Sequence, residues 1–373
     1  MFAKGQTIAQ LMEQLAPKHY AVEGDKIGLQ LGTLNKPIHK VLVALDVTNE
    51  VVDEAISEGA DLIVAHHAII FRPLAKIDTS TPAGRLYEKL IKNDIAVYIA
   101  HTNLDVTDGG INDWMADLLG IVPEGRGCLE EVHTDKLYKL VVFVPQTHEE
   151  QVQQAIWHAG AGTIGHYDCC SFVIEGTGTF RPGEGTSPFI GHQGKLEKVK
   201  EVRIETIVPH SVHRAVVQAM LKAHPYEEVA YDLYPVDLMG RSFGLGRVGK
   251  LEQPTTLGEL VDRVKNAFEV PFVRVVGDLS APVRKLAVLG GSGAKYVRHA
   301  KFSGADVIVT GDIDYHTAHD ALADGMMIID PGHNVEKIMK QRVADWLTAQ
   351  LTERKSTTQV IASSLSTEPF QFM

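Results

Sequence analysis

Two stretches of this chain share one pattern of apolar and polar positions, 245 residues apart and without a gap. KVLVALDVTNEVVDEAISEGADLIVAHH (40–67) aligns with KLAVLGGSGAKYVRHAKFSGADVIVTGD (285–312), placing Lys40 on Lys285, Gly59 on Gly304 and Asp61 on Asp306. The runs VLVAL and DLIVA are short, continuous and rich in β-branched residues, which predicts parallel strands buried on both faces. Between them Val51, Val52, Ala55 and Ile56 recur at helical spacing. A further apolar run follows in each copy: IAVYIA before His101, and MMIID before Pro331. The pattern predicts duplicated βαβ units.

The segment between the copies has another rhythm. LYKLVVFVP (137–145), CCSFVIEGTGTF (169–180), KEVRIETIVP (200–209) and EVAYDLYPVD (228–237) read as strands. EEQVQQAIWHAGA and HRAVVQAMLKAHP read as helices, the second stopped by Pro225. RPGEGTSPFIGHQGKLE reads as a loop and MGRSFGLGRVGK (239–250) as a return linker. The order β-α-β-β-α-β predicts a ferredoxin-like domain. The expected fold is α/β: a duplicated α/β core (1–128 and 246–373) with a metal cleft between its halves, interrupted by a ferredoxin-like insert (129–245). The N-terminal MFAKGQTIAQLMEQLAPKHY reads as an amphipathic helix capped by Thr7, and KSTTQVIASS as an edge strand or tail.

Composition narrows the class. The chain has 373 residues, 45% apolar and 22% charged, as expected of a globular protein. No apolar run reaches the roughly 20 residues of a membrane helix, and the N-terminus lacks a signal-peptide core. Net charge is −11, against general nucleic-acid binding, and an anionic substrate would need a local positive centre such as bound metal. Three cysteines make no disulfide framework. Cys169 and Cys170 read as buried strand residues, and a reducing cytoplasm is the expected location.

Candidate chemistry sits where the predicted strands end, which is where ligands bind in open α/β sheets. His66-His67 ends one strand; adjacent residues leaving the pleat can address two metals, the alternative being a hydrogen-bonded loop pair. His101 and Asp105 follow the next strand. Asp105 suits a bridging carboxylate or a plain turn and cap; His101 suits a ligand, an outer donor or a proton-transfer group. His333 and Glu336, three apart, face one direction on a starting helical turn. Imidazoles with carboxylates and no thiolate fit Zn, Mn, Fe, Co or Ni better than Ca. His316, in TGDIDYH at the mirror position of the histidine pair, suits a substrate donor or proton-transfer group, or a helix start capped by Asp312. Gly290-Gly-Ser-Gly293 reads as an anion-binding turn or a tight packing turn. HPYEE (224–228) reads as a helix stop with a packed Tyr226, or as part of a second ligand site.

The motifs Gly28-Leu-Gln-Leu-Gly32, Ala65-His-His-Ala68, His101-Thr-Asn-Leu-Asp105, Thr310-Gly-Asp312 with His316, and Gly332-His333 with Glu336 resemble those of the Ngg-interacting-factor family, whose members are called GTP cyclohydrolase 1 type 2 homologues. HPYEEVAYD resembles the insert of the longer bacterial members, which is similar to the CutA and PII-like fold. The resemblance implies a dinuclear centre of two divalent ions per chain, zinc foremost, held by His66, His67, Asp105, His333 and Glu336. It also implies a toroidal homohexamer with the metal sites facing an internal cavity. Three departures stand out: Gly24-Asp25-Lys26-Ile27 where many members have an aromatic-Asp-Asn, Ala68 where many have Pro, and a His-to-Glu spacing of three where some have four.

The expected function is a metal-dependent hydrolase acting through metal-bound hydroxide, by GTP cyclohydrolase-type ring opening with release of formate or by phosphoester hydrolysis, on a small molecule such as a nucleotide. His101 and His316 are the expected proton-transfer groups. The alternative is a non-enzymatic metal or small-molecule sensor, or a regulatory scaffold, acting through the PII-like insert. Neither a membrane nor nucleic acid is an expected partner.

Overall fold

The computed structural model describes residues 1–371. They form a mixed α/β fold with several sheets, divided into two compact units: Met1–His133 together with the chain from Phe243 onward, and Thr134–Ser242.

The larger unit holds two five-stranded sheets. The first runs, edge to edge, Gln359–Ala362, Lys40–Ala44, Leu62–Ala65, Ala96–Ile99 and Gly28–Leu31. Its first four strands are parallel and Gly28–Leu31 is antiparallel. The second runs Arg247–Thr256, Pro282–Ser292, Val307–Gly311, Met327–Asp330 and Arg274–Val276, with three parallel strands at its centre and an antiparallel strand at each edge. Pairing register is the same in both: Val41 lies opposite Leu62 and Val43 opposite Val64, while Leu286 lies opposite Val307 and Val288 opposite Val309. The loops entering these strands also agree. Asp61 accepts from the backbone N–H of His39 (2.6 Å) and Lys40 (3.3 Å), and Asp306 from those of Arg284 (2.7 Å) and Lys285 (2.8 Å).

Alternation along the strands decides the layers. Val41, Val43, Leu62 and Val64 of the first sheet share one buried cluster with Leu286, Val288, Val307 and Val309 of the second. Four helices complete that cluster: Gly5–Leu15, Ile111–Leu119, Leu257–Phe268 and Ile338–Glu353. The alternate residues face outward. Leu42, Ala44 and Ile63 pack under Asn49–Glu58 and Pro82–Lys92, and Ala287, Ile308 and Ile328 under Val297–Phe302 and Tyr315–Ala323. Among the described residues no helix is long and apolar enough to cross a membrane.

In the smaller unit the element order is strand, helix, strand, strand, helix, strand. Its sheet runs Tyr231–Leu245, Glu130–Pro145, Glu197–Pro209, Ser171–Phe180. The helices Glu149–His158 and His213–Ala223 bury Val152, Ile156, Val216 and Met220 against Leu140, Val142, Val144 and Ile204 of the sheet.

Several local expectations need correction. The first helix starts at Gly5 after Lys4, so Thr7 lies inside it rather than capping it. Cys169 is exposed in the left-handed backbone region (φ 52°) and the strand starts at Ser171. Gly290–Ser292 continue a strand instead of forming an anion-binding turn. The N–H of Gly290 donates to Asn112 Oδ1 (2.9 Å) and that of Gly293 to Gly311 O (3.2 Å), so neither is free for an anion.

Candidate metal centre

Three loops of the larger unit deliver the candidate ligands. His66 and His67 follow the strand Leu62–Ala65, and both backbone N–H groups donate to Leu45 O (3.2 and 3.0 Å). His101 precedes the short helix Thr102–Val106, which carries Asp105. His333 and Glu336 sit on a 3-10 turn, His333–Lys337, entered through Gly332 at φ 86°. Asp330 sets that entry: its Oδ1 accepts from the Gly332 N–H (2.9 Å) and its Oδ2 from the Ile313 N–H (3.1 Å).

Six of the seven residues singled out above converge. Three overlapping groups, His66–His67–His101, His67–His333–Glu336 and His66–Asp105–Glu336, each place their donor atoms within 4.8 Å of one another. Each histidine is anchored through Nδ1: His66 to Ala100 O (2.8 Å), His67 to Asp46 Oδ1 (2.6 Å), His101 to Asp25 Oδ1 (2.9 Å) and His333 to Asp312 Oδ2 (2.7 Å). An acceptor at Nδ1 fixes the ring's orientation and leaves Nε2 as the ligating nitrogen.

Glu336 is the hub. Its Oε2 lies 3.2 Å from His67 Nε2 and 3.3 Å from His333 Nε2, and its Oε1 lies 3.8 Å from His66 Nε2. Asp105 Oδ1 is also 3.8 Å from His66 Nε2. His66 Nε2 and Asp105 Oδ1 are buried and take no hydrogen bond. Two nitrogen or oxygen ligands at ~2.1 Å from one ion in tetrahedral array stand about 3.4 Å apart. These separations are close to those of donors sharing one ion, and the set fits a divalent metal.

Electrostatics agree with a site that expects cations. Burial pushes the Asp105 carboxyl up to about 6 against the pull of His66. Burial also opposes charge on His67, yet hydrogen bonds to Asp46 and Glu336 push it up to about 10. The Glu336 hydrogen bond, against burial, pushes His333 up to about 9. Burial works against the Glu336 carboxylate too, but the surrounding imidazoles hold it well below its usual range.

His316 does not join this cluster. It is exposed at the start of Tyr315–Ala323, where Asp314, not Asp312, caps the helix by accepting from His316 and Thr317 N–H groups. Asp312 instead orients His333. Asp25, Asp46 and Asn112 escaped the sequence reading. Asp25 Oδ2 also accepts from the Thr102 N–H (3.0 Å), and fully buried Asn112 donates to Asp105 O (2.9 Å) while accepting from Gly290. Asp46 did carry a signal, since it too follows a buried strand.

Gly291 shows how tightly the second sheet approaches. It has φ 63°, and a Cβ there would lie 2.6 Å from Glu336 Oε1 and 3.1 Å from His333 Nε2. Gly291→Ala is expected to displace Glu336 and lower metal content while circular dichroism stays native; full metal loading would show that the carboxylate has room to move.

Comparison with known proteins places this geometry. The family model for DUF34/NIF3 (NGG1p interacting factor 3) matches residues 3–369. The chain is 58% identical to a GTP cyclohydrolase 1 type 2 homolog of Halalkalibacterium halodurans, over 100% of this chain and 99% of that one. It is 54% identical to the Bacillus subtilis protein of the same name, over 99% and 98%. A crystal structure of a Bacillus cereus protein related to NIF3 superposes with a TM-score of 0.91 at 53% identity, covering both chains completely.

Proposed function

Because the chain belongs to the DUF34/NIF3 family, we propose that His66, His67, Asp105, His333 and Glu336 hold a dinuclear metal centre serving a hydrolase, with His101 beside it. The observation that carries this reading is the division of Glu336: Oε1 lies toward His66, which Asp105 also approaches, and Oε2 lies toward His67 and His333. Each set would hold one ion, with Glu336 contributing to both. Ligand chemistry favours zinc, with Mn, Fe, Co or Ni as competitors.

A bound pair of divalent ions supplies Lewis-acid polarisation and a water of lowered pKa. The protein residues do the rest. His66 and Glu336 are buried and hold the floor, while the His333 and His101 side chains are 41% and 27% exposed, so a substrate approaches from their side. His101 Nδ1 donates to Asp25, which leaves the Nε2 lone pair to accept a proton from attacking water and return it to the leaving group. Water would add at an electrophilic carbon, as in purine ring opening with loss of formate, or at phosphorus. The assay is release of formate from GTP and of phosphate from p-nitrophenyl phosphate by metal-loaded protein. Turnover that disappears in His101→Ala with metal retained supports the reading; no turnover of either class in the loaded protein counts against a hydrolase.

Metal loading should also release protons. In the metal-free chain His67 and His333 titrate near 10 and 9, so both are protonated at pH 7, whereas a ligating imidazole is neutral. Affinity therefore falls as pH falls. Calorimetric titration at pH 7 in two buffers of different ionisation enthalpy should give buffer-dependent heats corresponding to net proton release; identical heats would contradict it.

The proposal extends to architecture. The shared register of the two sheets and the paired roles of Asp61 and Asp306 support duplication of a βαβ unit. The element order of the smaller unit supports a ferredoxin-like, CutA/PII-like insert. A toroidal homohexamer rests on the sequence resemblance, and a cytoplasmic location on the cysteine content.

A further inference from the structure

The smaller unit holds a cavity of about 620 Å3 that no metal chemistry explains. This volume lies in the range of small-molecule sites, roughly 300–1,000 Å3. Its walls are aromatic. Phe180 and Phe189 set their rings at 64° and 52° to that of Tyr226, with centroids 5.7 and 6.5 Å away, and Phe143 lines the same space.

One wall group is not apolar. Glu201 lies in the cavity lining and is only 8% exposed. Its Oε1 accepts from the Tyr226 hydroxyl (2.9 Å). Among the described residues the other oxygen receives no hydrogen bond, and no lysine, arginine or histidine forms an ion pair with the carboxylate. Gly178 leaves room for it, since a Cβ there would lie 1.9 Å from Oε2. The nearby cations are otherwise engaged or neutral. Arg203 pairs with Glu205 (2.9 Å). His224 bonds Phe143 O through Nε2 and accepts from the Tyr226 N–H through Nδ1, and burial pulls its pKa down. Arg181 is exposed at the rim, where Glu175, Glu227 and Glu228 outnumber it. A nearly buried carboxylate without a cation is unfavourable unless something supplies the positive charge.

We propose that this cavity binds a small organic cation, an aryl- or alkylammonium whose head sits against Glu201 and whose body lies among Phe143, Phe180, Phe189 and Tyr226. Aromatic faces attract a cation through their quadrupole and also bury its apolar part, so both halves of such a ligand are matched. An anion would meet Glu201, and a neutral ligand would leave it unpaired. The inference is independent of the hydrolase reading.

The test is calorimetric titration of the full chain with three ligands sharing one aromatic body: phenethylammonium, phenethyl alcohol and phenylacetate. Phenethylammonium should bind saturably, at least about ten-fold tighter than the other two. Binding should persist in Glu336→Gln, which separates it from amine capture at the metal centre. It should be lost in Glu201→Gln and in Phe189→Ala, whose ring is 53% exposed. Equal binding of all three ligands, binding that survives Glu201→Gln, or no saturable binding of phenethylammonium would overturn the proposal. If Glu201→Gln does not fold, Phe189→Ala decides.

Discussion

Glu336→Gln should empty both metal positions at once. Its two oxygens face different donor sets, Oε1 toward His66 and Oε2 toward His67 and His333, so a single substitution removes a charged ligand from each. The amide that replaces one oxygen presents N–H donors to a ring nitrogen or an ion. Loss of an orienting partner alone weakens metal binding about 10- to 100-fold, so loss of a shared ligand should cost at least about 100-fold at each position. His333→Ala should differ, weakening the position shared with His67 while leaving His66, Asp105 and Glu336 in place. Competition against a chelator of known affinity, followed by elemental analysis, separates the two. One retained ion in Glu336→Gln would show that the positions do not share this carboxylate.

Arg247→Ala should be the most destabilising surface-distant change away from the ligands. The Arg247 side chain is 6% exposed, with Nε 2.8 Å from Asp113 Oδ1 and Nη2 2.9 Å from Asp113 Oδ2. It also donates to Gly244 O (2.9 Å), Gly246 O (2.8 Å) and Thr107 O (2.9 Å), two residues beyond Asp105. Removing it takes the two-pronged partner from Asp113, which keeps only Arg126 (3.2 Å) and the Gly109 N–H (2.8 Å), and leaves three carbonyls unmatched, at about 3 kcal/mol. At roughly 2–4 °C per kcal/mol, the melting temperature should drop by about 10 °C. Burial raises the Asp113 pKa, but the Arg247 hydrogen bond and charge outweigh it and hold the carboxyl below its usual range. A carboxyl lowered in the folded state contributes stability at neutral pH and loses it as pH falls through the folded value. The gap between wild type and Arg247→Ala should therefore be widest near neutrality and narrow in acid. A gap that widens in acid would assign the stabilisation elsewhere.

How much of this the sequence carries depends on the distance over which each feature is decided. VLVAL and DLIVA announce parallel strands because burial on both faces leaves a continuous apolar run, visible locally. His66, His67, His101 and His333 stand out because each closes such a run, and fold topology gathers strand ends. The carboxylates were harder. Asp312 reads locally as a helix cap, and nothing local marks Asp25 or Asp46 as orienting groups; the histidines these three hold are 21, 76 and 21 residues away. The sequence offers Asp105 as a bridging carboxylate but does not say which oxygen faces which ring; the 3-10 turn at His333 brings Glu336 beside three of the imidazoles. Gln359–Ala362 reads as an edge strand, but nothing local tells that it pairs with Lys40–Val43 of the first sheet. Cys169-Cys170 misled because an apolar run following a turn does not mark where the strand begins.

The most direct test of the shared centre is anomalous diffraction at the zinc edge from crystals of zinc-loaded protein. The account predicts two peaks in each chain, one among His66, Asp105 and Glu336 and the other among His67, His333 and Glu336, with Glu336 touching both. A single peak, or peaks that leave Glu336 uncoordinated, would contradict it.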